Sequence, residues 1–192
     1  MKIIGFSEIN GAVQMVLKCD SSMLVNRKPF FIPDWSEDVR VTPCVVLRVS
    51  RLGKNIGAKF ATRYYDAVAP AFNIHAADIL AQGDWVKAWG FDYALPLGSF
   101  INVERNPWQD TIIPLDEAIH RASEVMTLRQ GDLIFIDRTI ASRPLQREEV
   151  LSVTVDNEEL LYCKVKKLFE TNFNHTYKHE DYLRRHELCR TQ

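Results

Sequence analysis

Apolar positions along this chain recur mostly as short runs and alternations, the mark of strands, with one longer stretch at helical spacing. Residues 1–6 and 12–18 are apolar runs on either side of Asn10-Gly11, which predicts a hairpin or two neighbouring strands. Residues 21–25 form a brief connector, and in 27–34 Pro29 and Pro33 impose an extended path that Phe30 and Phe31 can anchor. Residues 39–50, rich in valine and leucine, predict a long strand. Pro43 within it cannot donate to a ladder, so the strand is expected at an edge or bulged there, and Arg40 and Arg48 point to partial solvation. After a turn at Gly53-Lys54-Asn55, the spacing of Phe60, Ala61, Tyr64, Tyr65 and Val68 predicts an amphipathic helix over 57–68.

A buried strand is expected at 69–75, then one or two helical turns at 76–81. The aromatic- and proline-bearing stretch 84–99 reads as an ordered loop, and 102–110 as a polar strand end with a turn at Asn106-Pro107. Leu115, Ala118, Ile119, Ala122, Val125 and Met126 follow the i, i+3, i+4, i+7 pattern, with Asp116 and Glu117 in the first turn where the dipole favours them. Strands follow at 132–137, 150–155 and 160–165, the last two as a hairpin about Asp156-Asn157. The polar tail has too few apolar residues for a core of its own and reads as a surface helix or disorder, so the domain is drawn as 1–167 with a tail at 168–192. Strands dominate and two or three helices cover them: an α+β, mainly β fold.

Composition narrows function by exclusion. A chain of 192 residues suits one domain, and 24 basic against 25 acidic residues give a net charge of −1, too balanced to draw in nucleic acid or an anionic membrane. No apolar run spans a bilayer and the opening MKIIGF is strand-like, so the expected location is the cytoplasm. The four cysteines, Cys19, Cys44, Cys163 and Cys189, form no CxxC pair and are expected as free thiols.

The segments KPFFIPDWSEDV, RLGKNI, RYYD, FD with LPLGSF, and LDEAIHRASEVMTLRQGDLIF closely resemble the small single-domain form of the fumarylacetoacetate hydrolase superfamily, over residues 1–166. The resemblance implies a mixed β-roll, a homodimer, and Mg²⁺ or Mn²⁺ holding a 2-oxo acid or its enol for C–C hydrolysis, decarboxylation or isomerisation. Such a hard cation needs carboxylates, and a Glu-x-Glu pair on a strand offers two on one face. At the positions the resemblance gives to the three metal ligands this chain carries Thr42, Cys44 and Asn73. His75 and Ala77 stand where the family has Thr and Arg, and Asp78 is retained. Trp89 falls at the substrate-binding Lys, with Lys87 two residues before it and Asp92 after it, and Arg138 falls at the Thr that grips a substrate carboxylate. The N-terminal lid segment is shortened away between Phe6 and Ala12.

The reading is therefore a non-catalytic protein of this fold, expected without a bound metal, whose pocket binds either a small carboxylate or nothing. Alternatives are a divergent metal-dependent hydrolase, decarboxylase or isomerase, and an interaction subunit docking through its dimer surface or tail. The candidate pocket is His75, Asp78, Lys87, Trp89, Asp92 and Arg138. Facing Cys44 and Asn73 with His75 nearby offer a thiol–imidazole pair or soft-metal site, against the commoner reading of a buried thiol. Arg138 beside Asp137 offers a carboxylate grip or a local ion pair. Asp78, Asp92 and Asp132 are read as structural. His175, His179, Tyr182, His186 and Cys189 would share a helical face in the tail, better read as solvated than as a zinc site.

Overall fold

A computed structural model describes residues 1–167; the tail histidines, Tyr182 and Cys189 lie outside the described residues. Strands β1 (Ile3–Ile9) and β2 (Ala12–Lys18) form an antiparallel hairpin. Its turn residues Asn10 and Gly11 both have positive φ, as a two-residue turn of this hand requires. Short strands β3 (Met23–Val25) and β4 (Phe30–Ile32) lead to the two longest strands, β5 (Val39–Val49) and β6 (Tyr65–Ala76), which pair antiparallel from Val39↔Ala76 to Val49↔Tyr65. Then come helices α1 (Ala77–Ala81) and α2 (Trp85–Trp89), strands β7 (Leu95–Leu97) and β8 (Ile101–Asn102), and helix α3 (Leu115–Val125). Strands β9 (Leu133–Asp137), β10 (Arg143–Pro144), β11 (Val150–Val155) and β12 (Glu158–Lys167) complete the described chain.

The main sheet runs β2-β1-β9-β5-β6-β7-β3, with β10 added to β5 and β8 to β6; β11-β12-β4 form a smaller sheet. β1 and β9 are parallel while β5 is antiparallel to both its long neighbours, so the sheet is mixed. The molecule is mainly β with covering helices. Among the described residues no helix is long and apolar enough to cross a membrane.

Three expectations need correction. β5 lies in the middle of the sheet. Pro43 sits where its neighbour changes, between the last β9 pair, Cys44↔Asp137, and the first β10 pair, Val41↔Arg143, and the register shift falls at Arg48/Val49 instead. Residues 57–68 do not form an α-helix: a 3₁₀ segment covers Ala58–Arg63 and β6 starts at Tyr65. The long ladder with β5 captures Tyr65 to Val68, whose side chains are partnered at strand spacing, and Phe60 is left largely exposed at 43%. The stretch 84–99 is more regular than a loop, because the Asp84 side chain caps α2 by accepting from the Lys87 backbone N–H at 3.0 Å.

Helix α3 is amphipathic as its spacing predicts, burying Ala118, Ile119 and Ala122 against Ile4, Val45, Leu47 and Ile134 of the sheet. On the opposite face of the sheet Cys44, Val46, Ala71, Leu133 and Phe135 pack beneath α1 and α2 with Ile79 and Trp89. That second face carries the site.

Candidate functional site

Strand alternation decides which side chains meet there. Ile3, Gly5 and Ser7 of β1 share one face with Phe135 and Asp137 of β9, with Thr42 and Cys44 of β5, and with Asn73 and His75 of β6. Asp137 ends the apolar run LIFID and is 3% exposed. Its carboxyl accepts from the Ser7 hydroxyl at 2.5 Å and from the Asn73 amide at 2.9 Å. Burial pushes its pKa up to about 7, against the opposing pull of the Ser7 and Asn73 hydrogen bonds and of Lys18.

Lys18, at the end of β2, is also buried. Its ammonium donates to the carbonyl oxygens of Ile74 at 2.7 Å and Trp89 at 3.1 Å, and it lies 5.4 Å from the Trp89 ring centroid and 5.9 Å from those of Phe91 and Phe135. Loss of water brings its pKa down to about 7, with Cys44 and Asp137 opposing. The His75 ring stacks on Trp89 at 4.6 Å, and burial, aided by the charges of Lys18 and Arg40, holds its pKa down to about 4, so it is neutral.

Over these groups opens a cavity of about 640 Å³. Ser7, Thr42, His75, Trp89 and Asp137 form its polar floor, Ile9, Leu80, Ile112 and Ile140 give apolar walls, and Arg40 and Arg138 stand at its margin. Both arginines are already held. Arg40 Nε bonds both Asp38 oxygens at 3.1 Å, and Arg138 clasps Asp110 through Nε and Nη2 at 2.8 to 3.0 Å. Among the described residues, His75 Nδ1, Trp89 Nε1 and Asn73 Oδ1 are buried without a hydrogen-bond partner. Buried polar atoms left so are costly; two of the three residues, His75 and Trp89, belong to the floor, and Asn73 lies behind it.

Of the residues singled out from sequence, Thr42, His75, Trp89 and Arg138 line the cavity, while Cys44 and Asn73 lie buried behind it. Asp78 instead pins the IPDW loop by accepting from the Ser36 hydroxyl at 2.6 Å and the Glu37 N–H at 3.0 Å. Lys87 lies over the Trp35 ring at 4.9 Å, and Asp92 is exposed. Asp132 ties Lys2 to Arg129 through their N–H groups, the structural role expected of it. The ion pair of Arg138 is with Asp110, not Asp137, whose carboxyl is taken by Ser7 and Asn73.

The thiol–imidazole pair does not form. Asn73 faces Thr42 across the ladder, Cys44 faces Ala71, and His75 is four residues further along β6, about 13 Å of strand. Burial pushes the Cys44 thiol well above its ordinary pKa, the reverse of a nucleophile's setting. Ser7 and Lys18 were missed from sequence. A signal for Lys18 was present: it follows Val16 on the inward face of β2, while Leu17 between them is 51% exposed.

No protein-family model and no curated protein matches the sequence. Solved structures do match in fold. A fumarylpyruvate hydrolase from Pseudomonas aeruginosa, in complex with Mn²⁺ and pyruvate, superposes with a TM-score of 0.76 at 13% identity, over 87% of this chain and 90% of that one. A 5-carboxymethyl-2-hydroxymuconate delta-isomerase from Mycobacterium smegmatis gives 0.76 at 19% identity, over 88% and 80%. A proposed fumarylacetoacetate hydrolase family protein from Yersinia pestis gives 0.73 at 18%, over 85% and 92%. The chain has the fumarylacetoacetate hydrolase-type fold.

The side chains on the floor do not suit a hard divalent cation. The three positions that the resemblance gives to metal ligands hold a hydroxyl, a buried thiol and an amide. The carboxylate nearest them, Asp137, is engaged by Ser7 and Asn73, and the Lys18 ammonium stands in the same layer. Among the described residues no group of three or more His, Cys, Asp or Glu is able to hold a metal ion. Magnesium and manganese ask for several anionic oxygens and repel a neighbouring fixed cation.

Proposed function

We propose that this protein is a non-catalytic member of the fumarylacetoacetate hydrolase-type fold whose cavity binds a small carboxylate without a metal ion, and that it assembles as a cytoplasmic homodimer. The observation that carries the reading is the floor itself. Thr42 on the floor and Cys44 and Asn73 behind it occupy the positions that the resemblance gives to metal-ligating carboxylates, and a lysine ammonium is held between Ile74 and Trp89 in the layer where a divalent cation would otherwise be sought. A carboxylate suits the polar groups there: the Thr42 hydroxyl lines the floor, and among the described residues the Trp89 indole N–H has no hydrogen-bond partner.

Elemental analysis of the purified protein, with turnover assays on oxaloacetate and acylpyruvates in Mg²⁺ or Mn²⁺, tests it. The expected result is substoichiometric metal and no turnover above background; stoichiometric metal or turnover abolished by changes in the cavity overturns it. Sedimentation equilibrium tests the dimer. One observation favours a second reading, a divergent enzyme: Asp137 keeps its proton up to about pH 7 on the cavity floor, the setting of a general acid or base. Metal-independent turnover lost in Asp137→Asn would carry that reading instead.

A further inference from the structure

Lys18 occupies a position where its strand calls for an apolar side chain. Val16 and Lys18 face inward and Leu17 faces out, so hydrophobicity is inverted at this step of β2. Removing an ammonium from water is costly unless it is compensated, and a methionine would fill the same space without that cost. The compensation here is built from elements far apart in sequence: the Ile74 carbonyl on β6, between Asn73 and His75, and the Trp89 carbonyl at the end of α2, with three aromatic rings around the charge. These two bonds use two of the three N–H donors. Lys18 does not itself line the cavity: its ammonium lies behind the floor, bonded to the Trp89 carbonyl and 5.4 Å from the Trp89 ring that does line it. Its charge is among the causes that keep the His75 imidazole of that floor from taking a proton.

We propose that Lys18 is a built-in cation behind the cavity floor, whose ammonium supplies, without touching the ligand, the positive charge that holds an anionic oxygen ligand over Thr42, His75, Trp89 and Asp137, so that binding needs no divalent ion. The proposal rests on the carboxylate-binding reading and deepens it, because it says which residue takes over the electrostatic work. With Arg40 paired to Asp38 and Arg138 to Asp110, the charges at the margin are neutralised locally, and the Lys18 ammonium, facing Cys44 and Asp137, stands behind the floor without an ion-pair partner of its own among the described residues. A purely structural Lys18, tying β2 to β6 and α2, predicts something different. Its removal would change stability and leave ligand affinity alone.

The experiment titrates the full chain with pyruvate by calorimetry in a mildly acidic buffer, in the presence of EDTA and then of excess Mg²⁺ or Mn²⁺. Wild-type binding is expected to be the same in all three. Lys18→Met is expected to weaken it by at least about tenfold, the scale of losing one unit charge several ångströms away at an effective dielectric of about 20. In the same variant the His75 titration, followed by NMR, moves up from about 4, since one cause of its depression is gone. Lys18→Gln is the second variant, and the wild-type EDTA arm stands whether or not either variant folds. Binding that appears only with Mg²⁺ or Mn²⁺, wild-type affinity in Lys18→Met, or no pyruvate binding at all overturns the proposal. Metal-dependent turnover would instead defeat the non-catalytic reading, and the EDTA and Lys18→Met arms would still decide the role of Lys18.

Discussion

At Asp137 a carboxyl is held out of water between a hydroxyl and an amide, and the consequence is a pH dependence with a definite sign. The unfolded chain releases this proton near the ordinary 3.8, whereas the folded chain keeps it to about 7. Between those values the folded state binds more protons, so this group makes stability fall as pH rises. Lys18 acts the other way but above about pH 7, where the unfolded chain still holds a proton that the folded chain has released. Asp137→Asn, neutral throughout, is therefore expected to gain on wild type by on the order of 2–4 kcal/mol from about pH 4 to about pH 7. Denaturant titrations at several pH values check it, and a constant difference across that window would remove the buried-carboxyl account. How Asp137 acquired this environment was only half legible in the sequence. Strand alternation could place Thr42 with Cys44, and Asn73 with His75, on one face of their own strands, but the Ser7–Asp137 contact joins residues 130 apart, and the Lys18–Ile74 contact residues 56 apart. No local pattern carries such pairs.

Elements explain why the fold was so readable while the chemistry was not. RLGKNI and MTLRQGDLIF, which carried the resemblance, bind each other: Gly53 and Leu128 exchange backbone hydrogen bonds at 3.0 and 2.8 Å, and Lys54 Nζ reaches the Glu124 carbonyl at the end of α3. A Cβ on Gly53 would lie 2.5 Å from the Tyr64 ring, so the turn needs glycine. These motifs are scaffold, held to each other by backbone and side-chain bonds. The 57–68 segment misleads because Tyr65 and Val68, three apart as on a helix, both reach the cluster beneath α3. A regular strand would split them across the sheet; the irregularity at Arg48/Val49, which pairs Ala67 and then Tyr65 with successive β5 residues, puts them on one face. A second glycine shows how tightly β1 and β9 are matched. Gly5 lies in register with Phe135, and an added Cβ would fall 1.9 Å from the ring. Gly5→Ala must displace a ring that also packs on Lys18, and it is expected to cost about 1–3 kcal/mol or more. Phe135→Leu in the same chain should recover part of that loss in thermal unfolding. If Gly5→Ala alone unfolds at the wild-type temperature, the close approach is not a constraint on this pair.

At the scale of the molecule the question is whether the β11-β12-β4 sheet is a separate unit or part of one cooperative structure. Strand β12 faces both ways: Leu160 joins the cluster beneath α3, and Leu161, Cys163 and Val165 join Phe30, Phe72 and Ile74. Backbone bonds cross the same seam, with Ser99 N–H donating to the Leu160 carbonyl at 2.8 Å and Arg27 N–H to that of Tyr162 at 2.9 Å. The Asn26 side chain completes the join, donating to the Leu160 carbonyl at 3.0 Å and accepting from the Tyr162 N–H at 2.9 Å. A sheet that shares its core residues with its neighbour cannot melt first without exposing both clusters. Unfolding is therefore expected in one step, with far-UV circular dichroism coincident with tryptophan fluorescence, which reports on the main sheet through Trp89 and Trp108. Asn26→Ala removes the Tyr162 N–H's bond to this side chain, while the Leu160 carbonyl keeps the Ser99 N–H, and should lower that single midpoint by the equivalent of about 1–3 kcal/mol. An early circular-dichroism transition that leaves the fluorescence unchanged, in wild type or in Asn26→Ala, would mean that the small sheet stands on its own.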